Sequence, residues 1–316
     1  MSKALRIPLW LCATLVLLLI SCTSPTSNIP PATAPIQEID PTPLPEESST
    51  REAQEQTAPS EESQLPTEPQ AITFETSDGR TLEGIYYPGA ANPSPIIVLM
   101  HWAPGTMNDW DAIAPWLQNR GLEGGTPGSN DYLDSTWFPD LPEDVSFGIL
   151  TFNFSGRGNS EGGRNNAGDL LLDTQAALLA ASKLEGVDPQ RMAAMGASIG
   201  ADGSVNGCNL YNQTADATGS CLGALSLSPV DFMGEGYNTN VTAILENPNA
   251  YVYCLSARFD GGSPRLCDAP NGENYASFIT SSGSAHGMDL WEPEAEIDTV
   301  NIFLDFLTDV FEVSLQ

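Results

Sequence analysis

The chain is expected to fold as an α/β domain around a mostly parallel sheet, and three observations predict it. Short continuous apolar runs such as "SPIIVLM" (94–100), "FGILTFN" (147–153) and "LGALSLS" (222–228) have the length and composition of strands buried on both faces. Amphipathic stretches of helical spacing alternate with them. Glycine and proline punctuate the joins, and strands alternating with helices make a parallel sheet.

Taken in order, "AITFETSDGRTLEGIYYP" (71–88) reads as two strands around an Asp78-Gly79 turn, a hairpin signal. After the run 94–100, "NDWDAIAPWLQNRG" reads as one helix opened by Asn108 or Asp109 and stopped at Gly121. The strand 147–153 is followed by "GDLLLDTQAALLAASKLEG", an amphipathic helix ending at Gly186. "RMAAMGAS" (191–198) is a strand, and a helix is expected after Ser198. "LGALSLS" and "YVYCLSA" (251–257) are further strands. "EAEIDTVNIFLDFLTDVF" closes the domain as a helix with apolar spacing at Ile297, Val300, Phe303, Leu304 and Leu307. The interval 122–146 is long for a connection and rich in Gly, Pro and Asp. It reads as a functional lid or a disordered insertion; its aromatics favour the lid, with Trp137 and Phe138 expected to line an apolar acyl pocket and packing onto the domain surface as the alternative.

Ahead of the domain, Lys3 and Arg6 precede an apolar run from Ile7 to Ile20, a pattern too short for a stable membrane span and typical of an export signal. Leu19, Ile20, Ser21 and Cys22 resemble the lipobox of bacterial lipoproteins. That resemblance implies cleavage after residue 21, lipidation of Cys22 and an extracytoplasmic, membrane-anchored protein. Residues 22–70 are rich in Pro, Ser, Thr, Glu and Gln and lack the apolar surface to offset ordering entropy. They are expected to form a disordered tether of roughly 40 Å reach. The folded domain is placed at 71–316, without a second domain.

From residue 71 onward there are 32 Asp and Glu against 8 Arg and Lys, a net of −24. That balance argues against nucleic acid as a partner. Six cysteines are present. With Cys12 in the signal and Cys22 at the lipobox, four remain, and export permits disulfides. The pairs Cys208–Cys221 and Cys254–Cys267 are favoured because each brackets a short stretch read as loop. No CxxC spacing supports zinc.

The stretch "AMGASIGADG" (194–203) carries the chemistry. Gly196-Ala197-Ser198-Ile199-Gly200 is a G-x-S-x-G placed between a strand and a helix, the setting of a nucleophile elbow. A serine needs a base, and the chain has two histidines, His101 and His286. His286 follows the serine and fits the order serine, acid, histidine; His101 reads as a structural residue. Asp260, in "ARFDGG" after a strand end, is the leading acid, and Asp231 in "LSPVDF" is its rival. The oxyanion hole would use the Ile199 N–H with that of Trp102 or Ala103; Pro104 has no N–H to offer.

Together "LMHWAPG", "FNFSGRGNSEG", "DPQRMAAMGASIGA", "ARFDGG" and "SAHGMD" resemble the α/β-hydrolase superfamily over nearly all of 71–316. The spacing is most similar to its dienelactone-hydrolase-like and small acyl-esterase branches. Dienelactone hydrolases carry a cysteine where this chain has Ser198. Ser155 stands where an arginine is common, and Trp102 replaces the usual glycine after the histidine. With only 229–250 between two strands, no large cap is expected. The resemblance implies a serine hydrolase acting on a small-molecule ester or acyl substrate, without metal or organic cofactor. Acyl transfer or peptide cleavage by the same triad is one alternative, and a non-catalytic surface lipoprotein is another.

Overall fold

The computed structural model describes residues 65–122 and 133–315. The signal, Cys22, most of the tether and part of the 122–146 loop lie outside the described residues. Among the described residues, eight strands form one sheet in the order β1 (Gln70–Glu75), β2 (Thr81–Tyr87), β4 (Gly148–Phe152), β3 (Ser94–Met100), β5 (Val187–Ala197), β6 (Cys221–Leu227), β7 (Tyr251–Ser256) and β8 (Tyr275–Ile279). β2 runs antiparallel to both neighbours, and every pairing from β4 to β8 is parallel. Gly79, with φ 86°, makes the predicted hairpin turn.

Successive residues of the central strands face opposite layers. Ile97 and Leu99 join one apolar layer, whereas Ile96, Val98 and Met100 join the other. Helices α1 (Ile113–Gln118) and α6 (Thr299–Phe311) cover the first layer. Helices α2 (Ala167–Ala181), α3 (Ile199–Gln213), α4 (Tyr237–Ile244) and α5 (Ser263–Asp268) cover the second. Burial on both faces explains why these strands read as unbroken apolar runs.

Four local expectations differ from the structure. The single helix expected at 108–120 is two pieces: a 3-10 turn, Met107–Trp110, and then α1. A continuous helix would put Pro115 in its interior, where it has no N–H to donate; restarting at Ile113 leaves Pro115 in the first turn. The turn is opened by Thr106 in a capping box with Asp109, not by Asn108 or Asp109. The closing helix begins only at Thr299, behind an Asp298 cap. β8 was not read from "YASFI", a half-buried strand at the sheet's edge without a clear apolar pattern. Finally, order precedes residue 71: the carbonyls of Leu65, Pro66 and Thr67 accept hydrogen bonds from Arg120 and Gln118.

Both favoured cysteine pairs are joined, each with Cα atoms 5.3 Å apart. They do not close loops as expected. Cys208 lies in α3 and Cys221 opens β6, while Cys254 lies in β7 and Cys267 in α5, so each bond ties a helix to the strand beside it.

Candidate active site

β5 ends at Ala197, and Ser198 occupies φ 55°, ψ −113°, a conformation forced by reversing from strand into α3 without a connecting residue. Both glycines of the motif are required by space. A Cβ on Gly196 would sit 2.0 Å from the Gly200 carbonyl oxygen, and one on Gly200 would sit 2.2 Å from the Met100 carbonyl oxygen. The Ser198 N–H donates to the Leu227 carbonyl at 2.8 Å, which ties the strained residue to β6. Ile199 is the first residue of α3, so its N–H has no acceptor within the helix.

His286 and Asp260 come to this serine from two other strand ends. Ser198 Oγ lies 2.8 Å from His286 Nε2, and His286 Nδ1 lies 2.8 Å from Asp260 Oδ1. An ionised carboxylate only accepts, so Nδ1 carries the proton and Nε2 accepts from the serine hydroxyl. Asp260 is held in a turn in which its N–H donates to Ala257 and its carbonyl accepts from Ser263. Its hydrogen bond to Asp260 raises the His286 pKa above the ordinary histidine value against the pull of partial burial. Burial alone would raise the Asp260 carboxyl, but the bond from His286 and the nearby Ser228 and Ser263 hydroxyls outweigh it and hold the carboxyl below its usual range.

Asp231, the rival acid, is turned elsewhere. It sits at φ 56° and accepts the Tyr237 N–H at 2.7 Å, closing the turn before α4. His101 is fully buried: Nδ1 lies 2.7 Å from the Trp102 carbonyl oxygen, and Nε2 accepts the Phe154 N–H at 3.1 Å. Burial pushes its pKa down to about 4, so the ring is neutral.

The Trp102–Gly105 loop is pinned by Gly105 donating to the Trp102 carbonyl and by Asp109 filling the space where a Gly105 side chain would stand. The Trp102 ring packs under the histidine loop, 3.0 Å from where a Cβ on Gly287 would be. Arg80, from the end of the hairpin turn, reaches Ser155 and Asp173 and braces the glycine-rich turn.

The expected acyl-pocket residues are placed differently from the triad. Phe138 stacks on Trp116 at 4.8 Å and meets Trp291 edge-on at 5.8 Å. Trp137 and Phe138 together line a groove of about 690 Å³ whose opposite wall is 293–301, and no triad residue belongs to it.

Two residues that the sequence reading passed over support the site. Asp202, one turn into α3, is buried and accepts the N–H groups of Val230, Asp231 and Phe232 at 2.9, 2.9 and 2.5 Å. Burial raises its carboxyl to about 6. Ser228, at the end of β6 with φ 57°, accepts the Gly287 N–H at 2.9 Å. The available signals were an acid among small residues in "GADGS" and a serine ending an apolar run before a proline.

No family model matches the chain. The uncharacterised protein YfhR of Escherichia coli K12 is 23% identical over 217 residues, covering 67% of this chain and 58% of YfhR. YfhR of Salmonella typhi is 25% identical over 173 residues, covering 54% of this chain and 47% of its own length. The chain thus spans about half the length of these relatives. Among solved structures, GrgF, an α/β hydrolase from Penicillium sp. sh18, superposes with a TM-score of 0.52 at 15% identity, covering 79% of this chain and all of GrgF. The esterase Pf2001 of Pyrococcus furiosus superposes with a TM-score of 0.51 at 12% identity, covering 76% of this chain and 94% of the esterase. These likenesses, with the sheet order, show the α/β-hydrolase fold.

Proposed function

We propose that this chain of α/β-hydrolase fold is a serine hydrolase of carboxylic esters, exported and anchored through a lipidated Cys22. The observation that carries the proposal is the continuous chain of hydrogen bonds from Ser198 through His286 to Asp260, both links at 2.8 Å. Ser198 Oγ attacks the ester carbonyl while His286 Nε2 takes its proton. His286 then returns that proton to the departing alkoxide oxygen. Water, activated by the same imidazole, attacks the acyl-serine and releases the acid. Asp260 keeps Nδ1 protonated and stabilises the imidazolium in each half-reaction. The Ile199 N–H and the N–H of Trp102 or Ala103 are the donors for the oxyanion, the first of them at the positive end of α3.

The hydrolases among the structural neighbours support the reaction class, and the lipobox-like "LLISC" supports the anchor. The test is hydrolysis of short- and long-chain 4-nitrophenyl esters by the full chain beside Ser198→Ala. Turnover that collapses in the variant supports the proposal, and full activity in the variant overturns it. Intact mass of the exported chain tests the anchor, which requires residue 22 as N-terminus with lipid attached.

A further inference from the structure

We infer that Ser228 is a positioning residue of the triad, its hydroxyl bridging the acid loop and the histidine loop by accepting from Gly287 and donating to Asp260. The inference rests on the catalytic reading of Ser198, Asp260 and His286 given above.

Both ends of the bridge are incomplete without it. Asp260 Oδ1 is used by His286, while Oδ2 is fully buried and receives no hydrogen bond of good geometry. A buried carboxylate oxygen left that way is costly, and a hydroxyl proton is the group that relieves it. The Ser228 hydroxyl is close enough to lower the Asp260 pKa. Its oxygen already takes the Gly287 N–H at 2.9 Å. Ser228 is wholly buried, and its proton has no other acceptor among the described residues. Turning that proton to Oδ2 satisfies both groups.

The placement of Ser228 is itself held against strain. A non-glycine residue at φ 57° is unfavourable, yet its N–H is locked to the Leu255 carbonyl at 2.8 Å. The following segment is clamped from the other side, where Asp202 takes three consecutive N–H groups. Gly287 is the residue after His286 and also has positive φ, 60°. One hydroxyl therefore fixes the rotation of the carboxylate toward Nδ1 and the turn that aims Nε2 at Ser198.

Ser263, the other hydroxyl near Asp260, opens α5 and makes no link to the histidine loop. It acts on the carboxylate from the acid loop alone. Asp289 also faces His286 and raises its pKa, and it is untouched by a change at 228.

The experiment is a titration of the imidazole ¹⁵N and ¹H resonances of the full chain labelled in histidine. The chain has two histidines, and burial keeps His101 neutral down to about pH 4, so the ring that titrates above the ordinary histidine value is His286. Ser228→Gly is the informative variant because glycine accepts φ 57° without strain and only the hydroxymethyl is lost. Ser228→Cys, a weak donor of similar shape, is the companion should the glycine variant not fold.

The expected result is a His286 midpoint lowered by about half a pH unit or more, because the freed carboxylate no longer holds Nδ1. With 4-nitrophenyl butyrate, kcat is expected to fall about tenfold while KM stays within about twofold, since orientation and not binding is lost. An unchanged midpoint and kcat overturn the inference. So does a larger shift in Ser263→Ala than in Ser228→Gly. If wild type cleaves no ester but the midpoint still moves, the bridge stands and the ester assignment fails.

Discussion

His101 and Phe154 are joined by a 3.1 Å hydrogen bond from the backbone of one to the ring of the other, across the ends of two adjacent parallel strands. The same ring holds the Trp102 carbonyl, so one neutral imidazole sets the loop that would supply the second oxyanion N–H. The folded pKa of about 4 lies below the unfolded value of 6.5, so between these values the unfolded chain binds the proton and the folded chain does not. Stability is therefore unaffected above about pH 6.5 and falls as pH drops toward 4, by up to about 3 kcal/mol. His101→Ala is expected to cost about 2 kcal/mol or more at pH 7. Its deficit relative to wild type should narrow at pH 4.5, as read by urea unfolding at both pH values.

Asp260→Asn keeps the shape of the acid and reverses its hydrogen bonding toward Nδ1. The imidazole then favours the wrong tautomer, and kcat is expected to fall about 10³- to 10⁴-fold with little change in KM. In wild type His286 must be neutral to accept the Ser198 proton. Its raised pKa places the acid limb of kcat/KM above 6.5, with activity falling as pH drops through it. The stability contributed by the His286–Asp260 pair has the opposite sense on the histidine side. It is fully present below pH 6.5 and is lost as pH rises through the raised folded pKa. On the acid side it is present above about 3.8 and lost as pH falls through the lowered Asp260 pKa. A pH–rate profile beside a pH–stability profile checks both signs.

Gly200→Ala tests the elbow by sterics alone. The added Cβ would meet two backbone carbonyl oxygens, of Met100 and His101, which cannot rotate away. A loss on the order of 3 kcal/mol is expected, with the start of α3 pushed away from the end of β3. Gly262→Ala is the control: it has φ −90° and no neighbour within 4 Å of the new Cβ. It should stay within about 1 kcal/mol of wild type. Equal melting behaviour of the two variants would contradict this account.

Much of the fold was legible because sheet burial writes itself into sequence as unbroken apolar runs, and these located β3 to β7 to within a few residues. The serine motif was legible because backbone crowding at Met100 and Gly200 leaves no alternative to glycine. What was hidden depended on contacts distant in sequence. Ser228 and Asp202 act through backbone N–H groups, which leave no trace in residue type at the receiving end. β8 lies at the edge of the sheet, where half-burial relaxes the apolar pattern. The cysteine pairs were anticipated from their spacing, but their setting between helix and strand was not. Aromatic residues in a long loop have the same sequence signature whether they line a cavity or anchor the loop, so the sequence leaves the roles of Trp137 and Phe138 open between the two.

Phe138 is the residue on which those two readings of the loop part. Its ring lies at 4.8 Å from Trp116 of α1 and 5.8 Å from Trp291, and Trp291 in turn meets Phe303 of α6 at 5.8 Å. Trp291 closes the 3-10 turn that begins directly after His286. Truncating Phe138 therefore removes an aromatic stack and also loosens the base of the histidine loop. Phe138→Ala is expected to cost about 2–3 kcal/mol, less than a fully buried phenylalanine because the ring is half-buried. Activity should fall by a similar factor on acetate, butyrate and octanoate esters, since His286 serves them all. A loss confined to the longer esters, with unfolding unchanged, would instead make the ring part of the acyl pocket. Denaturant unfolding beside a chain-length series on the same preparation separates the two.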